Sequence, residues 1–141
     1  DAGQEGLPTA AECGGFLYLG QALEGMDGKT YPMAGVLPGS GHNAGRLVRF
    51  GYAAMTAKAD SMLFRAGEAL PVHEFHHWDS EENGTDFAAK KPVGTRGWDC
   101  GYTTKSFYAG FPHLYFYSNV KIAENFIKCA EAWKKILTDM T

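Results

Sequence analysis

Apolar positions in this chain come in short blocks separated by glycine and polar turns. Residues 7–12 form an apolar run without alternation, the pattern of a strand buried on both faces. Phe16, Leu17, Tyr18, Leu19, Ala22 and Leu23 follow at helical spacing, which predicts a helix over 14–24 that closes at Gly25. Residues 1–6 read as a loop and 26–31 as a polar turn. The glycine-rich stretch 35–45 lacks the Gly-Lys-Ser/Thr ending of a phosphate loop and the spacing of a dinucleotide fingerprint, so it reads as a connection.

From residue 46 to 116 the texture becomes β. Runs at 47–52 and 61–65 are short, apolar and bounded by glycine or aspartate. Residues 71–78 alternate, with His73, Phe75 and His77 on one parity and Val72, Glu74 and His76 on the other. Residues 105–117 form an aromatic strand read as sheet core. Turn signals recur about every ten residues, which favours antiparallel pairing. Residues 118–137 form the clearest helix. Ser118 is its expected cap, and Ile122, Phe126, Cys129, Trp133 and Ile136 make its apolar stripe.

The junction between the first strand and the first helix carries candidate chemistry. Glu12-Cys13-Gly14-Gly15 lets the chain turn sharply and hold one side chain clear of the core. The turn leaves the Gly14 N–H free to meet a developing negative charge, and a helix N-terminus favours thiolate over thiol. Cys13 there reads as a nucleophile; the plainer reading is a small buried hydrophobe. Cys100, in Asp99-Cys100-Gly101-Tyr102, has no strand feeding it and reads as a surface turn.

Composition narrows the classes. The 141 residues suit one domain, and 45% apolar with 13% aromatic residues can fill a core. A net charge of −3 without like-charge runs excludes an electrostatic nucleic-acid surface. No apolar run is long enough to span a bilayer, and no signal-peptide pattern is seen. Cys13, Cys100 and Cys129 are an odd number at wide spacing, which argues against a disulfide framework and predicts a cytoplasmic protein.

A strand that feeds a nucleophile turn normally lies between parallel neighbours. Here it starts at about the seventh residue and only one strand–helix unit precedes the β-rich part. The chain also begins at Asp1. The expectation is the C-terminal two-thirds of a domain, from a longer polypeptide.

A cysteine nucleophile needs a base. His113, in Gly110-Phe111-Pro112-His113-Leu114, and the histidines of His73-Glu74-Phe75-His76-His77 both qualify by residue type. The His73 cluster has no flanking Cys or Asp at ligand spacing, so no metal site is assigned.

Several segments occur in the order of a known family. Glu12-Cys13-Gly14-Gly15 with Leu17-Tyr18-Leu19 resembles the nucleophile segment of the cobyrinic acid a,c-diamide synthases. Gly35-Val36-Leu37-Pro38-Gly39, Arg46-Leu47, Phe50-Gly51-Tyr52, His73-Glu74-Phe75-His76 and Pro112-His113-Leu114-Tyr115-Phe116 follow in the family's order. The chain departs at His77-Trp78, where the family typically has Tyr-Ser. It departs again at Tyr115, where the family commonly has histidine and many class I amidotransferases have glutamate.

The resemblance implies an α/β, flavodoxin-like class I glutamine amidotransferase domain, N-terminally incomplete, with added antiparallel strands. Residues 1–141 would be the C-terminal part of that domain. It implies that Cys13 attacks the glutamine amide, that His113 is the base, that Gly14 donates to the oxyanion and that His73 and Glu74 contribute to the substrate pocket. What orients His113 is open; Tyr115, two residues on, shares its strand parity. Ammonia would pass to an ATP-dependent synthetase domain of the same polypeptide, which amidates cobyrinic acid carboxylates in cobalamin biosynthesis. No cofactor is expected in this chain; ATP and Mg²⁺ belong to that synthetase domain. The second oxyanion donor belongs to an upstream loop, and losing such a donor costs on the order of 10²–10³ in turnover, so the isolated chain is expected to be weakly active. The rival readings are amidation of another tetrapyrrole, such as nickel-sirohydrochlorin, and a catalytically silent lobe that scaffolds a synthetase.

Overall fold

The first strand and its turn dictate the layout. In the computed structural model, which describes residues 6–140, β1 (Thr9–Glu12) leads through Cys13 into α1 (Gly14–Leu19). The helix is shorter than its sequence spacing predicts. Gly20 is extended, and its N–H takes the Leu17 carbonyl. The Tyr18 carbonyl accepts from Ala34, and the Leu19 carbonyl from Val36 and Leu37, at 2.8–2.9 Å. With these last carbonyls taken by another segment, the chain leaves the helix. Residues expected in its last turn form β2 (Ala22–Glu24) instead.

The single late strand expected over 105–117 is split across two sheets. β11 (Phe107–Gly110) pairs parallel with β1 in the register Thr9↔Phe107 to Glu12↔Gly110, while β12 (His113–Leu114) pairs antiparallel with β6 (Ala69–His76). Buried Phe111 and Pro112 make the corner between them, and the Tyr108 hydroxyl donates to the Pro112 carbonyl at 3.1 Å. β11 thus gives β1 one parallel neighbour that the sequence reading did not foresee. β1 is also only half-buried, not enclosed on both faces.

Three sheets result. The first has the order β1-β11-β10, where β10 is Tyr102–Thr103. The second is antiparallel, β12-β6-β5-β8-β9, with β5 (Arg49–Ala57), β8 (Phe87–Lys90) and β9 (Gly97–Cys100). The third runs β3-β2-β4-β7, with β3 (Thr30–Pro32), β4 (Gly41–Asn43) and β7 (Trp78–Ser80). The antiparallel pairing expected for the middle of the chain is present throughout the five-stranded sheet.

The main core lies against the inner face of that sheet. Met55, Leu70, Val72 and Phe87 meet Phe64, Tyr108 and Ile122 there. α2 (Val120–Asp139) covers it, and the Asn125 side chain donates to the Leu63 carbonyl. Asn119 caps α2 by accepting from the Lys121 N–H; Ser118, the expected cap, instead donates to the Tyr115 carbonyl. Residues 61–65 form a buried turn, not a strand: Ser61 closes onto Phe64, and Asp60 and Glu68 take the Ala66 and Arg65 amides. Cys100 is buried at the end of β9 rather than on a surface turn, because Phe87 covers it from β8. A second core packs Phe16 and Leu17 against Phe107, Ala109 and Phe111. The glycine-rich segment supplies β4 to it. A Cβ on Gly41 would stand 2.6 Å from Leu23 Cδ1 and 2.8 Å from Leu17 Cδ2, so a larger residue there would make these leucine side-chain ends shift. The loop expected at 1–6 lies, apart from Gly6, outside the described residues.

Candidate active site

Cys13 has φ 48° and ψ −105°, the one non-glycine residue with positive φ among the described residues. These angles belong to the first central position of a type II′ turn, which strongly favours glycine. The conformation is held from both sides. The Cys13 N–H donates to the Gly110 carbonyl at 2.9 Å, and its own carbonyl accepts the Leu17 N–H at 3.0 Å. Backbone strain of this kind costs about 1–3 kcal/mol and gathers at functional sites. It lifts the sulfur off the end of β1.

Burial pushes the Cys13 thiol up from its ordinary value, more than the Gly14 N–H pulls it down; the Glu74 and Glu12 carboxylates add to the upward push. The Gly14 N–H thus acts in the expected direction, and burial outweighs it.

His113 lies on β12, directly opposite His73. Its Nδ1 is 3.3 Å from Glu12 Oε2, and Glu12 Oε1 accepts the Leu114 N–H at 2.9 Å. One carboxylate therefore fixes both the backbone and the ring at this position. Because Nδ1 faces an acceptor, the Nδ1–H tautomer is favoured and Nε2 is left for another partner. Glu12 adjoins Cys13 in the chain, and Cys13 is bonded to Gly110, three residues before His113. Cys13 follows β1, and His113 follows the adjacent end of β11 beyond the Phe111–Pro112 corner; the two residues line different clefts.

Glu12 is the residue that sequence reasoning missed. Tyr115, the alternative weighed for this place, packs its ring on Tyr117 at 6.1 Å. The available signal was an acid ending an otherwise small and apolar strand, a position that requires a polar partner.

Two clefts adjoin these groups. One, of about 520 Å³, is lined by Tyr52, Val72, His73, His113 and Tyr115. The other, of about 420 Å³, is lined by Cys13, Gly14, Leu17, Phe75, His76 and Trp78 among others. The second sits where the three sheets meet, since β6 ends at His76 and β7 begins at Trp78.

His73 and Glu74 point to opposite faces of β6. His73 faces the first cleft. Glu74 is buried on the inner face: its Oε2 is 2.9 Å from His76 Nε2 and 3.7 Å from Arg49 Nη1, and its Oε1 accepts Trp98 Nε1–H at 3.2 Å. His76 Nδ1 donates to the Trp78 carbonyl at 2.7 Å. Its ring lies flat on Phe111, with centroids 3.8 Å apart and planes 3° apart, and Phe111 in turn meets Phe16 of α1 at 5.0 Å. The stack joins α1, which follows Cys13, to the corner that precedes His113. Among the described residues no group of three His, Cys, Asp or Glu side chains is placed to hold a metal ion.

Comparison with known proteins places this arrangement in a family. The model of the CobB/CobQ-like glutamine amidotransferase domain matches residues 1–120. The chain belongs to that family. It is 35% identical over 133 residues to the cobyrinate a,c-diamide synthase of Priestia megaterium, covering 94% of this chain and 29% of that protein. It is 33% identical over 134 residues to the Thermoplasma volcanium enzyme of the same name, covering 94% and 29%. Against the Salmonella typhimurium enzyme it is 33% identical over 133 residues, covering 92% and 29%. The chain therefore spans less than a third of the length of these relatives. As a glutamine amidotransferase domain it is a member of an enzyme family.

Proposed function

We propose that this domain hydrolyses glutamine to glutamate and ammonia through a thioester on Cys13. The observation that carries the reading is the Glu12 carboxylate at His113 Nδ1, one residue away from a cysteine held at positive φ. His113 takes the thiol proton through Nε2 as the sulfur attacks the amide carbon of glutamine. The Gly14 N–H donates to the oxyanion that forms. The C–N bond then breaks, and the imidazolium returns the proton to the leaving nitrogen, which departs as ammonia. Water, deprotonated by His113, cleaves the thioester, and glutamate leaves with the thiol restored. Positioned acid–base help of this kind contributes roughly 10²–10⁴ in rate. His73 walls the base's side of the site, and Glu74 acts through His76.

The ammonia serves, in this reading, an ATP-dependent amidation of cobyrinic acid carboxylates on a synthetase part of the same polypeptide. The names and lengths of the relatives support it. Nickel-sirohydrochlorin or another tetrapyrrole is the alternative acceptor. The residues here do not suit ATP or Mg²⁺: the glycine-rich segment has no lysine, and the Gly35 and Ser40 amides are bonded to the Gly20 carbonyl and to Glu81. The flavodoxin-like sheet would be completed by strands outside these residues, added along β1. That edge has no partner among the described residues. Three free thiols suit a reducing, cytoplasmic setting; no described helix is long and apolar enough to cross a membrane.

The test is glutamate release from glutamine, with labelling by a glutamine-like diazo-ketone. Release that is lost in Cys13→Ala, with the label confined to Cys13, is the expected result. Equal labelling of Cys13, Cys100 and Cys129 without release would leave the scaffold reading in its place.

A further inference from the structure

Three ionisable side chains cluster at one wall of the cleft that holds Cys13. His76 lines that wall. Glu74 precedes it on the inner face of β6, and Arg49 is its register partner on β5. The His76 and Glu74 side chains are 3% and 2% exposed, and Arg49 is 18% exposed. Charged residue types are rarely buried to this extent unless they are paired.

Hydrogen accounting fixes the charge on His76. Its ring lies between two oxygens, the Trp78 carbonyl at 2.7 Å from Nδ1 and Glu74 Oε2 at 2.9 Å from Nε2. A carbonyl oxygen only accepts, so Nδ1 carries a hydrogen. A second hydrogen must lie between Nε2 and the carboxyl group. Two other donors face the Glu74 oxygens: Trp98 Nε1–H at 3.2 Å from Oε1, and Arg49 Nη1 at 3.7 Å from Oε2. A donated hydrogen bond and a nearby cation both favour an ionised carboxylate, which leaves the second hydrogen on Nε2.

We propose that Glu74 holds His76 as an imidazolium, and that this fixed cation at the cleft wall favours the Cys13 thiolate, an inference that rests on the glutaminase reading above. The charge balance supplies the reason. The Glu74 carboxylate on its own pushes the Cys13 thiol up. The imidazolium cancels that carboxylate, and the Arg49 guanidinium leaves the cluster with a net positive charge. Cys100 on β9 and Tyr108 on β11 adjoin the same carboxylate. Burial raises both of them, so neither adds a negative charge near neutral pH. Glu12, the other carboxylate that acts on Cys13, is turned to His113. A fixed charge beside a half-buried sulfur acts more strongly than the same charge in water. His76 is not a second base. Both its ring nitrogens are taken, so it acts on the sulfur through its field, while His113 moves the proton.

The test uses the full polypeptide. Alkylation of Cys13 by iodoacetamide is followed across pH and located by peptide mapping, so the readout needs no glutamine. His76→Gln keeps a donor toward Glu74 without its charge, and alkylation near neutral pH is expected to slow several-fold. Adding Glu74→Gln removes the carboxylate left unbalanced, and the rate is expected to return toward wild type. The cluster thus goes from net positive to neutral and back; a ring that only packs would not be rescued by losing a charge. Histidine-selective ¹⁵N NMR reads the charge itself, with His76 assigned as the signal missing from the double variant. Wild type is expected to carry hydrogens on both ring nitrogens near neutral pH, and Glu74→Gln alone to leave Nε2 bare. A bare ring nitrogen in wild type overturns the proposal. So does a wild-type alkylation rate in folded His76→Gln, or a slow rate that Glu74→Gln does not restore. If His76→Gln does not fold, the wild-type and Glu74→Gln spectra decide. If Cys13 alkylates in this way but the polypeptide releases no glutamate from glutamine, the glutaminase reading fails instead, and the two failures are told apart.

Discussion

Glu12 and His113 are a hundred residues apart in the chain, yet Oε2 of one lies 3.3 Å from Nδ1 of the other. Parallel pairing of β1 with β11 brings the Glu12 end of one strand beside the Gly110 end of the other. The Phe111–Pro112 corner then carries His113 back over the carboxylate. In the proposed mechanism the acid that orients the base thus precedes the nucleophile, in place of a residue two positions after the histidine.

Glu12→Gln tests this directly. The amide oxygen can still accept the Leu114 N–H, so the backbone is held while the charge is lost. Turnover for glutamate release is expected to fall by about 10–100-fold, with KM little changed, since removing an orienting acid leaves a residual rate. The loss is smaller than for a buried triad acid because the Glu12 side chain is 29% exposed. Glu12→Ala also frees the Leu114 amide and costs about 1 kcal/mol in denaturant unfolding. Wild-type turnover in Glu12→Gln would remove the residue from the mechanism.

The strain at Cys13 has a thermodynamic signature. Glycine adopts φ 48° and ψ −105° freely, whereas alanine meets the same clash as cysteine. Both Cys13→Gly and Cys13→Ala are expected to be inactive. In thermal unfolding, however, the glycine variant is expected to be the more stable of the two by about 1 kcal/mol. Equal melting temperatures would show that the turn stores no strain.

Local features of the site were legible in the sequence. The turn at Cys13 followed from two glycines after a small apolar strand. The opposite facing of His73 and Glu74 followed from alternation, and β6 has that alternation. What escaped was set by distant partners. Nothing within 14–24 shows that the Tyr18 and Leu19 carbonyls are taken by residues 34–37, which ends the helix at Leu19. The run 105–117 looks uniform by composition, and only tertiary pairing divides it at Phe111–Pro112 between two sheets. The bond from Glu12 to Leu114 spans 102 residues and depends on that division. Ser118 and Asn119 are both good caps by type, and the preference of the Ser118 hydroxyl for the Tyr115 carbonyl decided between them.

The His76–Phe111 stack predicts coupling between a buried pair and turnover. His76→Leu leaves the Glu74 carboxylate, 2% exposed, without its closest partner. Breaking a buried pair from one side typically costs about 3–5 kcal/mol. Adding Glu74→Gln removes the stranded charge, so the double variant is expected to be more stable than His76→Leu alone. Phe111→Leu keeps the pair but loosens the corner before His113. It is expected to lower kcat with little change in KM, because the corner positions the base and does not bind glutamine. A change confined to KM would place Phe111 against the substrate.

Cys100 gives the chain a stability that depends on pH. Burial pushes its thiol up to about 12. In the unfolded chain it ionises near its ordinary value of about 8.5. A group raised on folding contributes stability that is whole below the unfolded value and is lost as pH rises toward the folded one. The window therefore runs from about 8.5 to about 12. By pH 10 the unfolded state has gained close to 1.5 pH units of ionisation, worth about 2 kcal/mol. Cys100→Ala removes that contribution while leaving a small cavity whose cost is the same at every pH. Denaturant unfolding at pH 7 and pH 10 is the measurement. Wild type is expected to lose about 2 kcal/mol more than Cys100→Ala between the two. Other alkaline groups, Tyr108 among them, are present in both chains, so the difference between the two losses isolates the thiol. Equal losses would mean that Cys100 is open to solvent.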